Sequence, residues 1–193
     1  MQFAGNNRLP IFFIMNRKLL MHELNRKTVD EFRRSAKTPL VLVLDNVRSQ
    51  NNIGSIFRTA DAFLAEGLYL CGITPVPPHR EIQKTALGAT ESVHWEYHDS
   101  CLQLLQALKL RGYCTVVFEQ TEKSIPLPAF QPDPATKYAL VLGNEVHGVQ
   151  QEVVDACDHC IEIPQYGTKH SLNIAVSAGI AVWEFYRQLY PGG

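Results

Sequence analysis

The chain has 193 residues, of which 46% are hydrophobic and 19% are charged, and its formal net charge is −1. This length and composition fit one domain with a sizeable core. The near-neutral charge gives no global signal for a polyanionic partner, and no run approaches the roughly 18 apolar residues of a membrane span, so we expect no membrane association.

The five cysteines favour reduced thiols and a cytoplasmic location, because an odd number does not suit a disulfide framework. Cys157 and Cys160 form a lone C-x-x-C pair. A zinc site needs further ligands, so we interpret both as packing residues and expect no metal site. The apolar stretch Leu9–Met15 is short and no small-residue cleavage site follows it, so we expect no signal peptide, with Met15 or Met21 as alternative starts.

Residues 1–37 are predicted to form a basic, largely helical segment that precedes a domain of residues 38–193. From Arg8 to Lys37, eight basic residues stand against three acidic residues, which gives a local net charge of +5. One interpretation is a solvated amphipathic helix, Asn16–Ser35, that buries Leu20, Leu24 and Phe32. The other is a basic arm that binds a phosphate backbone. The sequence leaves both open.

Apolar runs and amphipathic stretches alternate after residue 38. Leu40–Leu44 is apolar throughout, as expected of a strand buried on both faces of a parallel sheet. Further strands are predicted at Gly67–Cys71, Ser92–Tyr97, Tyr113–Phe118, Tyr138–Leu142 and His159–Ile163, and helices at Ile53–Leu64, Arg80–Leu87, Cys101–Leu110, Val149–Cys157 and Ile174–Tyr186. This alternation predicts an α/β fold with a mostly parallel sheet flanked by helices.

The last predicted helix, Ile174–Tyr186, is apolar on nearly every side. Such a helix must be covered all round, so we expect one face to pack on its own sheet and another on a second cover. Ser171 and Asn173 stand at its start, where backbone N–H groups have no partner within the helix. Together these features suggest a binding site beside a dimer interface.

Polar loops that contain glycine follow three predicted strands, at Asp45–Arg58, Leu142–Gly148 and Ile163–Asn173. Ligands gather at the carboxyl ends of parallel strands, so these loops are the candidate site. None of them contains G-x-G-x-x-G or G-x-x-x-x-G-K-[ST]. Their absence argues against a dinucleotide-dependent oxidoreductase, a P-loop enzyme and the common glycine-rich type of methyltransferase.

The three loops resemble, in order and spacing, the motifs of the SpoU (TrmH-like) RNA ribose methyltransferases of the SPOUT superfamily. Asn52–Ala60 (NIGSIFRTA) resembles the N-x-G-x-x-x-R segment, Leu140–Glu145 (LVLGNE) the second motif, and Ile163-Pro164 with Ser171-Leu172-Asn173 the third. The resemblance spans residues 40–188. The chain departs from the family pattern twice: the usual proline before Asn52 is absent, and Val146-His147 replace a glycine that is common after the glutamate.

The resemblance implies a C-terminal deep trefoil knot, S-adenosylmethionine as cofactor, and a homodimer with the C-terminal helix in its interface. A charge at Ala178 or Val182 would then be expected to break the dimer. By matching position, with Glu119 placed at the strand end before the proline-rich loop, the implied cofactor-binding residues are Glu119, Leu142, Gly143, Ile163, Ser171 and Leu172.

The resemblance also implies the reaction, which is methyl transfer to a ribose 2′-hydroxyl of tRNA or rRNA. The matching catalytic positions are Arg58, Asn52, Glu145, Ser171 and Asn173. Deprotonating an arginine of pKa above about 12 at pH 7 costs roughly 7 kcal/mol. We therefore favour Arg58 as a group that orients the target phosphate and stabilises the alkoxide, rather than as the base.

The remaining matched residues have both functional and structural interpretations. Asn52 would fix Arg58 or the ribose, and Glu145, Ser171 and Asn173 would order the loop and the substrate. The structural alternatives are helix caps for the two asparagines and the serine, and a surface ion pair for Arg58.

Two other functions stay open: a non-catalytic RNA-binding or ribosome-assembly module of the same fold, and a methyltransferase that acts on a base nitrogen, as in other SPOUT branches. The identity of the RNA is not encoded in a recognisable added domain. Neutralising Arg26, Lys27, Arg33 and Arg34 is predicted to weaken RNA binding and to flatten its salt dependence.

Overall fold

A computed structural model describes residues 16–190, and seven parallel strands form one sheet within that range. The sheet order is β3-β2-β1-β6-β4-β7-β5. The strands are β1 Thr38–Asp45, β2 Ala65–Cys71, β3 Trp95–His98, β4 Tyr113–Phe118, β5 Ile125–Pro126, β6 Lys137–Leu142 and β7 His159–Glu162. The predicted α/β class with a parallel sheet is confirmed.

Seven α-helices and two short 3-10 helices precede, connect or follow the strands in the described part of the chain. The α-helices are α1 Val29–Arg34, α2 Gln50–Ala62, α3 Arg80–Ala86, α4 Ala89–Ser92, α5 Cys101–Leu110, α6 Gln151–Ala156 and α7 Ile174–Leu189, and the 3-10 helices are Met21–Leu24 and Leu127–Ala129. The sequence did not predict α4, β5 or Leu127–Ala129. The last two span only two and three residues, which is too short to show a periodic pattern.

The core has two layers, one on each face of the sheet. Leu40, Leu42 and Leu44 of β1 point into the layer formed with α2, α3 and α7. Val41 and Val43 of the same strand point into the layer formed with α5 and α6. Burial on both faces explains why β1 reads as an unbroken apolar run rather than an alternating one.

The start of the described chain differs from the single helix predicted over Asn16–Ser35. The 3-10 helix Met21–Leu24 ends at Asn25, which is left-handed with φ 46°. A separate helix, α1, then begins at Thr28, whose side chain accepts a hydrogen bond from the backbone of Glu31. Phe32 is buried as predicted, whereas Leu20 and Leu24 are exposed. The apolar stretch Leu9–Met15 lies outside the described residues. So do Arg8 and the alternative start at Met15.

The third strand also begins later than predicted, at Trp95 rather than Ser92. Residues Ala89–Ser92 form α4, and the Ser92 hydroxyl donates a hydrogen bond to the Asp61 carboxylate. Among residues 16–190, no helix combines the length and the apolar character needed to cross a membrane.

The C-terminal helix α7 has one buried and one exposed apolar face. Ala178 and Val182 are fully buried in the core of their own chain. The side chains of Val176, Ile180 and Trp183 are 51%, 40% and 51% exposed. The predicted second cover of this helix would therefore have to pack on Val176, Ile180 and Trp183. The choice of Ala178 and Val182 as dimer contacts was wrong, because a helix that is apolar all round does not reveal which face the sheet takes.

Candidate cofactor and RNA site

A cavity of about 750 Å³ opens at the carboxyl ends of β4, β6 and β7. The loops that follow these strands line it, and the sequence placed its second and third motifs in the loops after β6 and β7. All six predicted cofactor-binding residues belong to the lining: Glu119, Leu142, Gly143, Ile163, Ser171 and Leu172. Ligand cavities of parallel sheets commonly lie in this position.

The loop after β6 is a tight turn closed by its own backbone. The N–H of Asn144 donates to the carbonyl oxygen of Gly148 at 3.0 Å, and the reverse bond measures 2.9 Å. The side-chain oxygen of Asn144 accepts hydrogen bonds from the N–H groups of Val146 and His147. The two residues that replace the family's usual glycine are thus held by Asn144.

Two glycines allow this loop to pack as closely as it does. A Cβ on Gly143 would lie 2.3 Å from the carbonyl carbon of Gly148, so no side chain fits there. Gly148 has φ +67°, a conformation that favours glycine, and a Cβ on it would meet a carboxylate oxygen of Glu119 at 2.1 Å. Both glycines are required by the geometry of the cavity wall.

Glu119 supports the wall of the cavity from the end of β4. One carboxylate oxygen accepts a hydrogen bond from the N–H of Val149 at 3.0 Å, and the other accepts from the N–H of Gln120 at 2.9 Å. The side chain of Gln120 donates to the carbonyl oxygen of His170 at 3.2 Å, which ties the third loop to the same strand end.

A chain of hydrogen bonds joins all three motif regions at the mouth of the cavity. The amide nitrogen of Asn52 donates to the Glu145 carboxylate at 3.1 Å. The amide nitrogen of Asn173 donates to the side-chain oxygen of Asn52, also at 3.1 Å. Three predicted catalytic residues, separated by up to 121 positions in sequence, are therefore in contact.

Glu145 also binds the loop that leads into α2. Its two carboxylate oxygens accept hydrogen bonds from the backbone N–H groups of Arg48 at 3.0 Å and Ser49 at 2.9 Å. Burial alone would raise the pKa of Glu145, but these backbone bonds and the bond from Asn52 lower the pKa below its usual value. The carboxylate is therefore held in its charged form.

Asn173 and Ser171 begin α7 in different ways. The side-chain oxygen of Asn173 caps the helix by accepting hydrogen bonds from the N–H groups of Ala175 and Val176. Ser171 is exposed and lines the cavity without capping α7. The predicted cap at Asn52 is also wrong, because Ser49 caps α2 and accepts a bond from the Asn52 backbone. The side chain of Asn52 is thus free to join the network.

Two of the predicted catalytic residues, Asn52 and Arg58, do not line this cavity. Asn52 is hydrogen-bonded to Glu145 and Asn173, which do line it, whereas Arg58 is not. Arg58 lies on the exposed side of α2 and lines a second cavity of about 770 Å³. The side-chain amide of Asn52 is not bonded to Arg58, because its nitrogen donates to Glu145 and its oxygen accepts from Asn173. Among the described residues, Arg58 forms no salt bridge, so the predicted structural alternative of a surface ion pair is not seen.

The cysteine pair lies beside the site but not in it. Burial raises the pKa of Cys157 to about 12, so this thiol is neutral at physiological pH. Cys160 donates a hydrogen bond to the carbonyl oxygen of Glu119 at 3.3 Å. Within residues 16–190, no group of three or more His, Cys, Asp or Glu side chains could hold a metal ion.

The cavity fits a nucleoside-sized cofactor. Its volume is in the usual range for small-molecule sites, and its wall combines apolar side chains such as Leu172 and Ile163 with backbone polar groups of the glycine-containing loop. A family-wide sequence profile described as the SpoU rRNA Methylase family matches residues 39–183. The chain belongs to the SpoU rRNA Methylase family.

Relatives in this family carry out ribose methylation according to their names. The 23S rRNA (guanosine-2′-O-)-methyltransferase RlmB of Vibrio parahaemolyticus is 29% identical over 175 residues, which cover 91% of this chain and 70% of RlmB. The tRNA (guanosine(18)-2′-O)-methyltransferase of Aquifex aeolicus is 33% identical over 175 residues, covering 88% of this chain and 79% of the relative.

The fold of this SpoU-family chain also matches a solved structure with its cofactor bound. The AdoMet-bound rRNA methyltransferase from Sinorhizobium meliloti superposes with a TM-score of 0.73 and 27% sequence identity. The match covers 83% of this chain and 60% of the Sinorhizobium chain, so the relative is considerably longer.

Several residues that shape the site were not predicted from sequence. Asn144, Gly148 and Gln120 fix the loops, and the backbone of Arg48 and Ser49 holds Glu145. The sequence signal for the turn after β6 was Asn144 followed four residues later by Gly148, since both residue types are typical of turns. Contacts between distant segments leave no such local signal.

Proposed function

We propose that the protein transfers a methyl group from S-adenosylmethionine to a ribose 2′-hydroxyl of tRNA or rRNA. The observation that carries this proposal is the hydrogen-bonded chain Glu145–Asn52–Asn173 at the mouth of the cavity. It joins the three motifs of a family whose named relatives methylate this hydroxyl. The protein is therefore an RNA (ribose-2′-O-)methyltransferase.

S-Adenosylmethionine supplies a methyl group on a sulfonium sulfur. When bound, it would give that carbon to the ribose oxygen as the sulfur–carbon bond breaks. The sulfur would be left as a neutral thioether, and the hydroxyl proton would pass to water or to a phosphate of the substrate. The cavity wall, with Gly143, Ile163 and Leu172, would hold the cofactor. Four polar residues would position the ribose and the loops: Asn52, Glu145, Ser171 and Asn173. Such positioning matters because a hydroxyl reacts only when it is aligned with the methyl carbon.

Arg58 would act on the phosphate and on the charge that develops at the ribose oxygen. It carries a permanent charge, it is exposed, and it makes no salt bridge within the described residues. A guanidinium placed against developing negative charge stabilises the transition state without giving up a proton.

We also propose that the protein is a homodimer through α7. Val176, Ile180 and Trp183 form an exposed apolar stripe, and Leu172 at the cavity mouth is 39% exposed on the same segment. A second copy of the chain is the occupant favoured by the family resemblance. The stripe begins one helical turn from Asn173, so the dimer would bring the partner close to the site.

Three further features stay proposals. They are the division into a basic segment of residues 1–37 and a methyltransferase domain of residues 38–193, the trefoil knot, and the cytoplasmic location. Support for the division comes from the family match, which begins at residue 39. The sheet order and the close packing of Gly143 on Gly148 are compatible with the knot.

The experiment that tests the function is methyl transfer to RNA from cells that lack the gene. The purified protein and tritiated S-adenosylmethionine are incubated with total tRNA and with rRNA, and the product nucleosides are identified by mass spectrometry. Label in a 2′-O-methyl nucleoside is expected. Label in a base would indicate a base methyltransferase instead. RNA binding without cofactor binding or transfer would indicate a non-catalytic module.

A further inference from the structure

The second cavity is separate from the cofactor cavity and lies against the basic segment. Its lining comes from the C-terminal half of α2, the junction of α3 and α4, and the residues that surround the start of α1. Two kinds of side chain meet there. Arg26, Lys27 and Arg58 contribute cations, and Met21 and Leu87 contribute apolar surface.

The basic residues of this region divide into two groups. Arg33 donates to the carbonyl oxygen of Glu91 at 2.6 Å, Arg34 to that of Asp30 at 3.2 Å, and Lys37 to that of Phe32. These three side chains serve the fold. By contrast, the side chains of Arg26, Lys27 and Arg58 make neither such a hydrogen bond nor a salt bridge with any residue between 16 and 190.

Two acids limit the positive charge of the cavity. Asp61 and Glu91 also line it, and the Asp61 carboxylate accepts a hydrogen bond from the Ser92 hydroxyl. Three cations against two acids leave a local charge of +1. This balance suits a single phosphate group better than a long stretch of duplex backbone.

Leu87 and Met21 give the second cavity an exposed apolar wall. Leu87 is left-handed, with φ 50° at the C-terminal cap of α3, and its side chain is 69% exposed. Glycine or asparagine adopts this conformation at lower cost. Met21, on the same cavity, is 87% exposed. Two largely exposed apolar side chains at one cavity wall suit a contact with an apolar surface outside the chain.

We propose that the second cavity binds an unpaired nucleotide of the RNA substrate, next to the target ribose. The base would lie on Met21 and Leu87, and its phosphate would contact Arg26, Lys27 and Arg58. Proteins that bind single-stranded RNA combine flat contacts to a base with cations on the backbone, and methionine sulfur packs well on aromatic rings. This inference rests on the proposed function.

Helix α2 supplies the link between the two cavities. Asn52 joins the network at the mouth of the cofactor cavity, and Arg58 lines the second cavity. The two residues are about 9 Å apart along the helix axis, from 1.5 Å per residue. A strand of RNA that runs along α2 would place neighbouring nucleotides in the two cavities.

The test is RNA binding in the absence of cofactor, measured by fluorescence anisotropy. The probes are a labelled single-stranded RNA of about 12 nucleotides with mixed sequence and the matching duplex. The single strand is expected to bind more tightly. Arg26→Gln with Lys27→Gln should raise its Kd about 10-fold and lower the salt slope by roughly 0.7 for each phosphate that the variant no longer neutralises.

Two matched controls make the test specific. Arg33→Gln with Arg34→Gln removes the same charge from side chains that bond to carbonyl groups, and should change Kd less than about twofold. Leu87→Asn should weaken binding about fivefold with no fall in melting temperature, because asparagine tolerates the left-handed conformation. Leu110→Asn changes another exposed leucine, on α5, and should have no effect.

Three results would overturn the inference: equal losses from the two charge pairs, unchanged binding in Leu87→Asn, or equal affinity for single strand and duplex. The proposed function fails separately. If the wild-type protein showed this binding pattern but transferred no methyl group, nucleotide binding in the second cavity would stand, but its place next to a target ribose and the proposed activity would not. If it methylated RNA while the variants bound normally, only the inference would fall.

Discussion

Arg58 is the proposed catalytic side chain that lies away from the proposed cofactor cavity. It lies on the same helix as Asn52, but it lines a different cavity. Cofactor binding and transition-state stabilisation should therefore be separable by mutation, since the two depend on different side chains.

Arg58→Ala is expected to lower the rate of methyl transfer about 10²- to 10³-fold, the usual effect of removing one group that stabilises developing charge. Affinity for S-adenosylmethionine should not change. Single-turnover transfer and calorimetric titration measure the two quantities. Arg58→Lys keeps the charge but loses the planar guanidinium, so it should recover only part of the rate. A large loss of cofactor affinity in Arg58→Ala would show that the arginine reaches the first cavity.

Glu145 is a residue whose charge stabilises the site. Glu145→Gln removes a carboxylate that accepts bonds from Arg48, Ser49 and Asn52. We expect the free energy of unfolding at pH 7 to fall by about 1 kcal/mol, a value reduced for the exposure of the side chain. Urea unfolding measures the loss. Glu122→Gln, at an exposed glutamate with no side-chain hydrogen bond to any residue of the range 16–190, serves as control.

The effect of Glu145→Gln should depend on pH. Because folding lowers the pKa of Glu145, its stabilisation is present above the unfolded-state pKa, about 4.3, and is lost as the pH falls through the folded pKa. The difference between wild type and variant should therefore shrink below about pH 4. A difference that stayed constant from pH 7 to pH 3 would mean that the missing interaction is not ionic.

At the level of elements, sequence pattern predicted what depends on short-range periodicity. The unbroken apolar run of β1 revealed its burial on both faces, and the second and third motifs marked two of the three loops that line the cavity. Sequence pattern failed where contacts between distant segments determine the structure. The predicted helix Asn16–Ser35 breaks at left-handed Asn25, and nothing local to Glu145 shows that its partners lie 93 to 97 positions earlier.

Helix α7 gives the clearest example, because its apolar pattern predicted a second cover but not which residues meet it. Ile180→Glu places a charge in the exposed stripe and should raise the dimer dissociation constant at least about 100-fold, since an unpaired charge in an apolar interface is costly. Light scattering coupled to gel filtration reads the oligomeric state. Leu110→Glu, at a leucine that is 91% exposed on α5, should leave the dimer intact.

The outcome of Ile180→Glu also reports on activity. If the site is completed by the partner, methyl transfer should fall together with the dimer. A monomeric Ile180→Glu protein with full activity would separate the interface from the site. Ala178→Glu and Val182→Glu cannot make this distinction, because both positions are fully buried and a charge there would unfold the chain.

At the level of the whole molecule, the cofactor cavity is a point where the parallel sheet, the loop after β6 and the start of α7 meet. A ligand in the cavity would contact segments from Glu119 at the end of β4 to Asn173 at the start of α7. Ligand binding should therefore stabilise the entire fold and not only one loop, because a ligand that binds only the native state shifts the global equilibrium.

S-Adenosylmethionine at 100 times its Kd is expected to stabilise the native state by about 2.7 kcal/mol and to raise the Tm by about 5 to 11 °C for a chain of this size. Thermal unfolding followed by circular dichroism, with and without cofactor, measures this shift. Leu172→Glu should abolish the shift, because the new carboxylate enters the cavity lining, while the Tm of the free protein should stay within about 2 °C since Leu172 is partly exposed. A normal shift in Leu172→Glu would place the cofactor elsewhere in the molecule.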